Sequence, residues 1–223
     1  MSGPGYRTLA DLPQVIPVFP LDGALLLPGG VLPLQIFEPR YLNMIDDAMA
    51  GERMIGMVQT GGRADRARPG LARVGCAGRI TRYSETGDGR YLIALTGVCR
   101  FETGEELALP TPYRQVRATY APFQDDLAAD DSAVEFDRGP FMRVLRRYLD
   151  QKQLGIEWEA VTAAPAPALI NSLCMALPFE PAEKQALLEA PGLEERRATL
   201  CALLEIDAAA PDSDDDDAPP RLQ

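Results

Sequence analysis

The chain contains no histidine, which excludes serine–histidine and cysteine–histidine chemistry, because both need an imidazole to take the nucleophile's proton. Among other reactive groups, its two lysines, Lys152 and Lys184, each fall at an exposed position or end of a predicted helix. Neither stands near a glycine-flanked serine, and a lysine base needs a desolvated site to bring its pKa down. Cys76, Cys99, Cys174 and Cys201 are scattered without a C-x-x-C pair, so a zinc site would have to gather thiolates or carboxylates from distant points. Four reduced and mostly buried thiols are expected instead. Asp46-Asp47 and Glu105-Glu106 are adjacent in sequence, point to different faces of a helix or strand, and read as solvated surface. Gly29-Gly30 and Gly61-Gly62 lack the lysine and the strand-to-helix setting of a phosphate loop. No catalytic residue, cofactor or metal is expected, and the chain reads as a non-enzyme.

Charge narrows the partners. The net charge is −11, and residues 207–223 hold six aspartates against the single base Arg221, leaving a moderately acidic body. Arg66, Arg68, Arg73, Arg79 and Arg82 are the one basic grouping that could meet RNA, but Tyr83 is the only aromatic beside them. Stacking platforms are required as well as charge, so the pattern argues against nucleic acid. The first fifteen residues lack the apolar core of a signal peptide. The most apolar window, 15–36, is interrupted by four prolines and Asp22, which argues against a membrane span. A cytoplasmic protein is expected.

The elements that must carry any site follow from pattern. From Val15 to Ile36, short apolar runs are cut by Pro17, Pro20, Pro28 and Pro33, which predicts short strands at sheet edges, bulges or corners. Pro28-Gly29-Gly30 turns Leu25–Leu27 back beside Val31–Ile36. Pro39 opens a helix to about Ala50, and Gly51 stops it. Glu38 and Arg40 flank Pro39, as a cap and local charge pair or as the polar rim of a ligand site. Met54–Val58 reads as a buried strand, Gly61–Gly70 as a mobile loop, and Val74–Leu95 as a hairpin turned at Gly87-Asp88-Gly89. Gly97 is expected to break the second arm, with further strands at Val98–Phe101 and Tyr113–Tyr120. An acidic stretch, Gln124 to Asp131, reads as a solvated linker. Beyond it, stripes at Phe141, Val144, Leu145, Tyr148 and Leu149, then at Leu169, Ile170, Leu173, Cys174 and Leu177, predict packed helices. Shorter helices are expected over 181–188 and from Leu193.

Five stretches carry a resemblance: Ile16–Leu21, Leu27–Leu34, Phe37-Glu38-Pro39-Arg40-Tyr41, Val74–Ile80 and Leu95–Phe101. Together with the helical close over 169–204 they resemble the LON substrate-binding domain, the N-terminal domain of Lon proteases. That resemblance implies an α+β fold: a PUA-like small open β-barrel subdomain over 14–123, then an α-helical bundle subdomain over 132–206. Outside them, residues 1–13 read as a flexible arm and 207–223 as a disordered acidic tail. Because the sequence lacks ATPase and peptidase signatures, it is expected to act as a stand-alone polypeptide-binding protein linked to protein quality control or proteolysis. An unfolded segment would add along an exposed strand edge, with Phe37 and Tyr41 as the candidate contact residues. The alternative is a scaffold or adaptor docking on one folded partner, such as a protease.

Overall fold

The computed structural model describes residues 5–61, 69–128 and 136–209. Its β part holds six strands: β1 (Val15–Pro20), β2 (Val31–Ile36), β3 (Met54–Val58), β4 (Val74–Glu85), β5 (Tyr91–Glu106) and β6 (Arg114–Thr119). They pair in the order β2-β5-β4-β3-β1-β6, and β5 pairs again with β6. The ladder can curl this way because β5 is sixteen residues long and irregular. Ala77 pairs with Cys99 but Gly78 with Gly97, leaving Val98 as an extra residue, and such a bulge bends a strand and increases its twist. Gly97 therefore sits within β5 at its bulge and does not end it.

Helix α1 (Pro39–Ala50) crosses from β2 to β3, with proline at its first turn and Gly51 beyond its end. Tyr41, Met44, Ile45 and Ala48 form its buried face, as the three- and four-residue spacing predicts. Where the sequence predicted edge strands, β2 is one, paired among the described residues only with β5, but β1 is internal, lying between β3 and β6. Pro17 fits there because the parallel pairing to β3 begins only at Val18, and Pro20 because the pairing to β6 ends at Val18. Leu25–Leu27 form no strand. All three leucines are buried in a loop, tied by the bond from Gly97 N–H to Gly30 C=O at 2.9 Å.

After β6 the chain makes 3-10 turns over Ala121–Leu127, then helices α2 (Arg138–Gln151), α3 (Trp158–Ala163), α4 (Ala166–Ala176), α5 (Pro181–Glu189) and α6 (Leu193–Ala209). Phe141, Leu145, Tyr148 and Leu149 are the buried face of α2. The apolar residues of sheet and helices make one continuous core, so the α+β class expected from the sequence is the class observed. Residues 5–13 of the arm pack on the body: Leu12 is buried in the core with Tyr6 and Leu9 against it, and the Arg79 guanidinium donates to the Tyr6 hydroxyl at 2.6 Å. At the other end α6 runs to Ala209, past the boundary drawn at 206. Of the loop read over Gly61–Gly70, residues 62–68 lie outside the described residues, as do 129–131 of the acidic linker and the tail from 210. Among the described residues no helix is long and apolar enough to cross a membrane.

Candidate functional site

Strand β2 offers an open backbone edge. Its register on β5 runs from Val31 opposite Thr96 to Ile36 opposite Tyr91, and Gly97 bonds to Gly30. Hydrogen-bonded pairs alternate along an antiparallel ladder, so Leu32, Leu34 and Ile36 spend their backbone bonds on β5. The backbone groups of Val31, Pro33 and Gln35 face the unpaired side. Pro33 thus stands where its missing N–H removes no ladder bond. Apolar side chains border this edge: Val31 is 57% exposed, Leu92 46% and Phe37 62%, with the Arg90 guanidinium 6.0 Å from the Phe37 ring. Phe37 cannot follow Ile36 inward, because successive side chains of a strand alternate faces and α1 begins two residues later.

Tyr41 goes elsewhere. It is only 7% exposed and packs edge-on against Phe19, ring centroids 4.2 Å apart. Burial raises its phenol pKa. The structure therefore separates the two candidate contact residues, Phe37 on the surface and Tyr41 in the core, since the helix turns position 41 toward β1. Arg40 lies over the outer face of the Tyr41 ring at 4.5 Å and pairs with Glu38 at 2.8 Å. The charge pair at the helix start is present, while Glu38 makes no side-chain cap bond.

A second constellation joins the sheet to the helices, and most of it escaped sequence reasoning. Arg100 is 3% exposed. Its guanidinium grips Asp126 through Nε at 2.9 Å and Nη2 at 2.8 Å, and donates to the carbonyls of Leu188 at 3.1 Å and Pro191 at 3.1 Å. Asp126, read as part of a solvated linker, is instead half-buried because the turns after β6 carry it onto this arginine. Gln59 donates to the Pro181 carbonyl at 3.0 Å, and Asn171 to the Pro28 carbonyl at 3.1 Å.

Lys184 is also not the exposed helix residue that its sequence position implied. It is 7% exposed and desolvation lowers its pKa. Its ammonium donates to the Gly23 carbonyl at 2.7 Å and toward that of Met175 at 3.5 Å. Carbonyls satisfy a cation but supply no nucleophile, so this lysine works as a clamp between α5 and the loop after β1. Lys152 pairs with Asp207 at 3.6 Å. Beside the clamp, a cleft of about 420 Å³ is lined by Gln59, Thr60, Leu71, Arg73, Pro181 and Gln185 among others. Its side-chain amides are engaged with one another, Gln59 donating to Gln185 at 3.1 Å.

The remaining candidates are dispersed. Asp46 and Asp47 accept from the hydroxyls of Tyr91 and Tyr113 at 2.9 and 2.6 Å, tying α1 to the sheet. Arg73 pairs with Glu102 at 3.2 Å and Arg79 with Tyr6, while Arg66 and Arg68 lie outside the described residues. Cys76, Cys99 and Cys174 are buried and Cys201 half-buried. Burial pushes the Cys99 and Cys174 thiols up to about 12 and raises Cys76 well above its usual 9. The folded state therefore holds these protons where the unfolded chain releases them, so stability is complete below pH ~9 and falls as pH rises toward ~12. Each thiol is expected to remove about 1.4 kcal/mol per pH unit over that window. Chemical denaturation between pH 8 and 11 checks this: Cys174→Ala should flatten the decline, and an unchanged slope would contradict it.

Comparisons with known proteins agree with this architecture. The family model for the ATP-dependent protease La (LON) substrate-binding domain matches residues 15–205. Lon protease 2 of Myxococcus xanthus is 30% identical over 212 residues, covering 92% of this chain and 25% of its own length. The Lon protease of Anaeromyxobacter dehalogenans is also 30% identical over 212 residues, covering 92% of this chain and 24% of its own length. The chain thus spans about a quarter of the curated relatives it matches. Two solved structures share the fold. The Lon N-terminal domain protein from Xanthomonas campestris has a TM-score of 0.59 at 23% identity, covering 84% of this chain and 97% of the other. The N-terminal domain of Mycobacterium avium complex Lon protease has a TM-score of 0.60 at 22% identity, covering 86% and 98%. With the family model spanning both the sheet and the helices, the chain belongs to the LON substrate-binding domain family.

Proposed function

We propose that this chain recognises extended polypeptide without catalysing a reaction on it, and that the β2 edge with Phe37 is where the polypeptide lies. The observation that carries the reading is an edge strand with outward backbone groups bordered by exposed Val31, Leu92 and Phe37. An added strand takes its affinity from main-chain hydrogen bonds and its preferences from side-chain contacts on either side, and a folded domain has no free strand to add. Family membership supports recognition of protein substrates. The two lysines, engaged by carbonyls and by Asp207, offer no base for peptide cleavage.

Titration of a reduced, carboxymethylated model protein against its native form tests the proposal. Binding of the unfolded form alone is expected, and equal binding or none of either form would overturn it. Phe37→Ala should weaken that binding about tenfold, the loss of one aromatic anchor. Its folding stability should stay within about 0.5 kcal/mol of the parent, as for surface positions generally. An unchanged affinity would remove Phe37 from the site.

A further inference from the structure

Pro33 sits at the centre of the open edge, and its position decides which strand that edge can hold. Strands β1, β3, β5 and β6 each find partners on both sides, and β4 lies between β3 and β5 over 76–79. Among the described residues, β2 is the strand left with one whole side unpaired. Val31, Pro33 and Gln35, whose backbone groups face that side, also carry exposed side chains. Such an edge is a template for pairing with a second copy of itself.

The outward backbone groups are unequal. Val31 and Gln35 each present an N–H and a C=O, whereas Pro33 presents a C=O alone, because its nitrogen carries the ring. For an antiparallel strand from another protein the loss is small. Bonds form in both directions at Val31 and at Gln35, and an incoming N–H still donates to the Pro33 carbonyl. For a second copy the loss falls twice at one point. The two-fold arrangement that engages every outward position sets Val31 opposite Gln35 of the other copy and Pro33 opposite Pro33. At that centre neither ring has a proton to give. Each Cδ instead occupies the space of the missing hydrogen and meets the other copy's carbonyl oxygen, which drives the strands apart. Sliding the copies by two residues, so that Pro33 faces Val31 or Gln35, leaves each facing pair with one bond in place of two. A longer register is stopped by α1, which begins at Pro39.

We infer that Pro33 is the specificity residue of this edge: it prevents a second copy of the chain from pairing along β2 and so keeps the edge open to an extended segment of a different protein. The identity of that segment rests on the reading of β2 as the recognition edge, whereas the exclusion of a second copy follows from backbone geometry alone.

Pro33→Thr returns the donor without disturbing the sheet, since position 33 exchanges no bond with β5 and its side chain is exposed. In sedimentation equilibrium of the full chain, the variant should self-associate at a concentration at least about tenfold below that of the parent, the effect of two restored hydrogen bonds. Amide exchange at Val31 and Gln35 should slow as the variant's concentration rises and stay independent of concentration in the parent. Adding Gln35→Pro, which removes the donors flanking the centre, should return association to the parent's level. Pro33→Ala, read in the same way, covers a failure of the threonine variant to fold. Association equal to the parent's in these variants would overturn the inference, as would association that leaves the Val31 and Gln35 amides unprotected or that survives Gln35→Pro. Titration with the reduced, carboxymethylated model protein separates the two readings. Binding by the parent, with Pro33 variants that associate no more than the parent, retains the recognition edge and removes the role of Pro33. Variants that pair through β2 while the parent binds no unfolded chain retain Pro33 as the barrier and remove the recognition edge.

Discussion

Replacing Arg100 by methionine is expected to lower the unfolding free energy by about 3–5 kcal/mol, the usual result of removing one member of a buried ion pair. The reason lies in what stays behind. Asp126 keeps a carboxylate whose side chain is 9% exposed with its guanidinium gone, and the Leu188, Ala190 and Pro191 carbonyls lose their donor. An unsatisfied buried polar group costs more than a satisfied one contributes. At about 2–4 °C per kcal/mol for a chain of this size, the melting temperature should fall by about 10 °C or more. Because those carbonyls end α5 and open the turn into α6, amide exchange in α5 should accelerate ahead of that in β4. Adding Asp126→Leu should restore at least half the loss, since removing both charges leaves no lone ion. A single variant within about 1 kcal/mol of the parent would show that the pair is dispensable.

Gly97→Ala should cost at least about 3 kcal/mol, at the upper end for overpacking. A methyl there falls on the carbonyl of Leu27, with the carbonyl carbon 2.7 Å away and Leu26 Cγ at 3.3 Å. None of these atoms is a flexible side-chain end. Leu26 and Leu27 are fully buried, and the two backbones are bonded on both sides, Gly29 to Gly97 at 3.0 Å and Gly97 to Gly30 at 2.9 Å. Relief requires breaking the bulge that lets β5 reach both β2 and β6. Gly87→Ala is the control: a methyl at that hairpin turn meets nothing within 4 Å, and stability should stay within about 0.5 kcal/mol. Equal denaturation midpoints for the two variants would show that the approach at Gly97 is not tight.

What the sequence by itself determined was local. Pro39 and Gly51 bracket α1 because proline suits a first turn and glycine ends a helix, and the stripe from Phe141 to Leu149 named the buried face of α2. Pro33 marked β2 as an edge. The same proline rule misplaced β1, because a short parallel pairing to β3 leaves room for Pro17 that no local pattern announces. Phe37 and Tyr41 looked alike as aromatics beside Pro39, and only the turn of the helix sent one to the surface and the other onto Phe19. Tertiary structure alone decided the polar joints: Arg100 meets Asp126 twenty-six residues on, and Lys184 reaches Gly23 across 161. Turn chemistry and side-chain periodicity act between neighbours and can be read from them. Whether a charge is solvated or clamped depends on which carbonyls and carboxylates arrive opposite it when sheet and helices dock, and that pairing is written in no single stretch of chain.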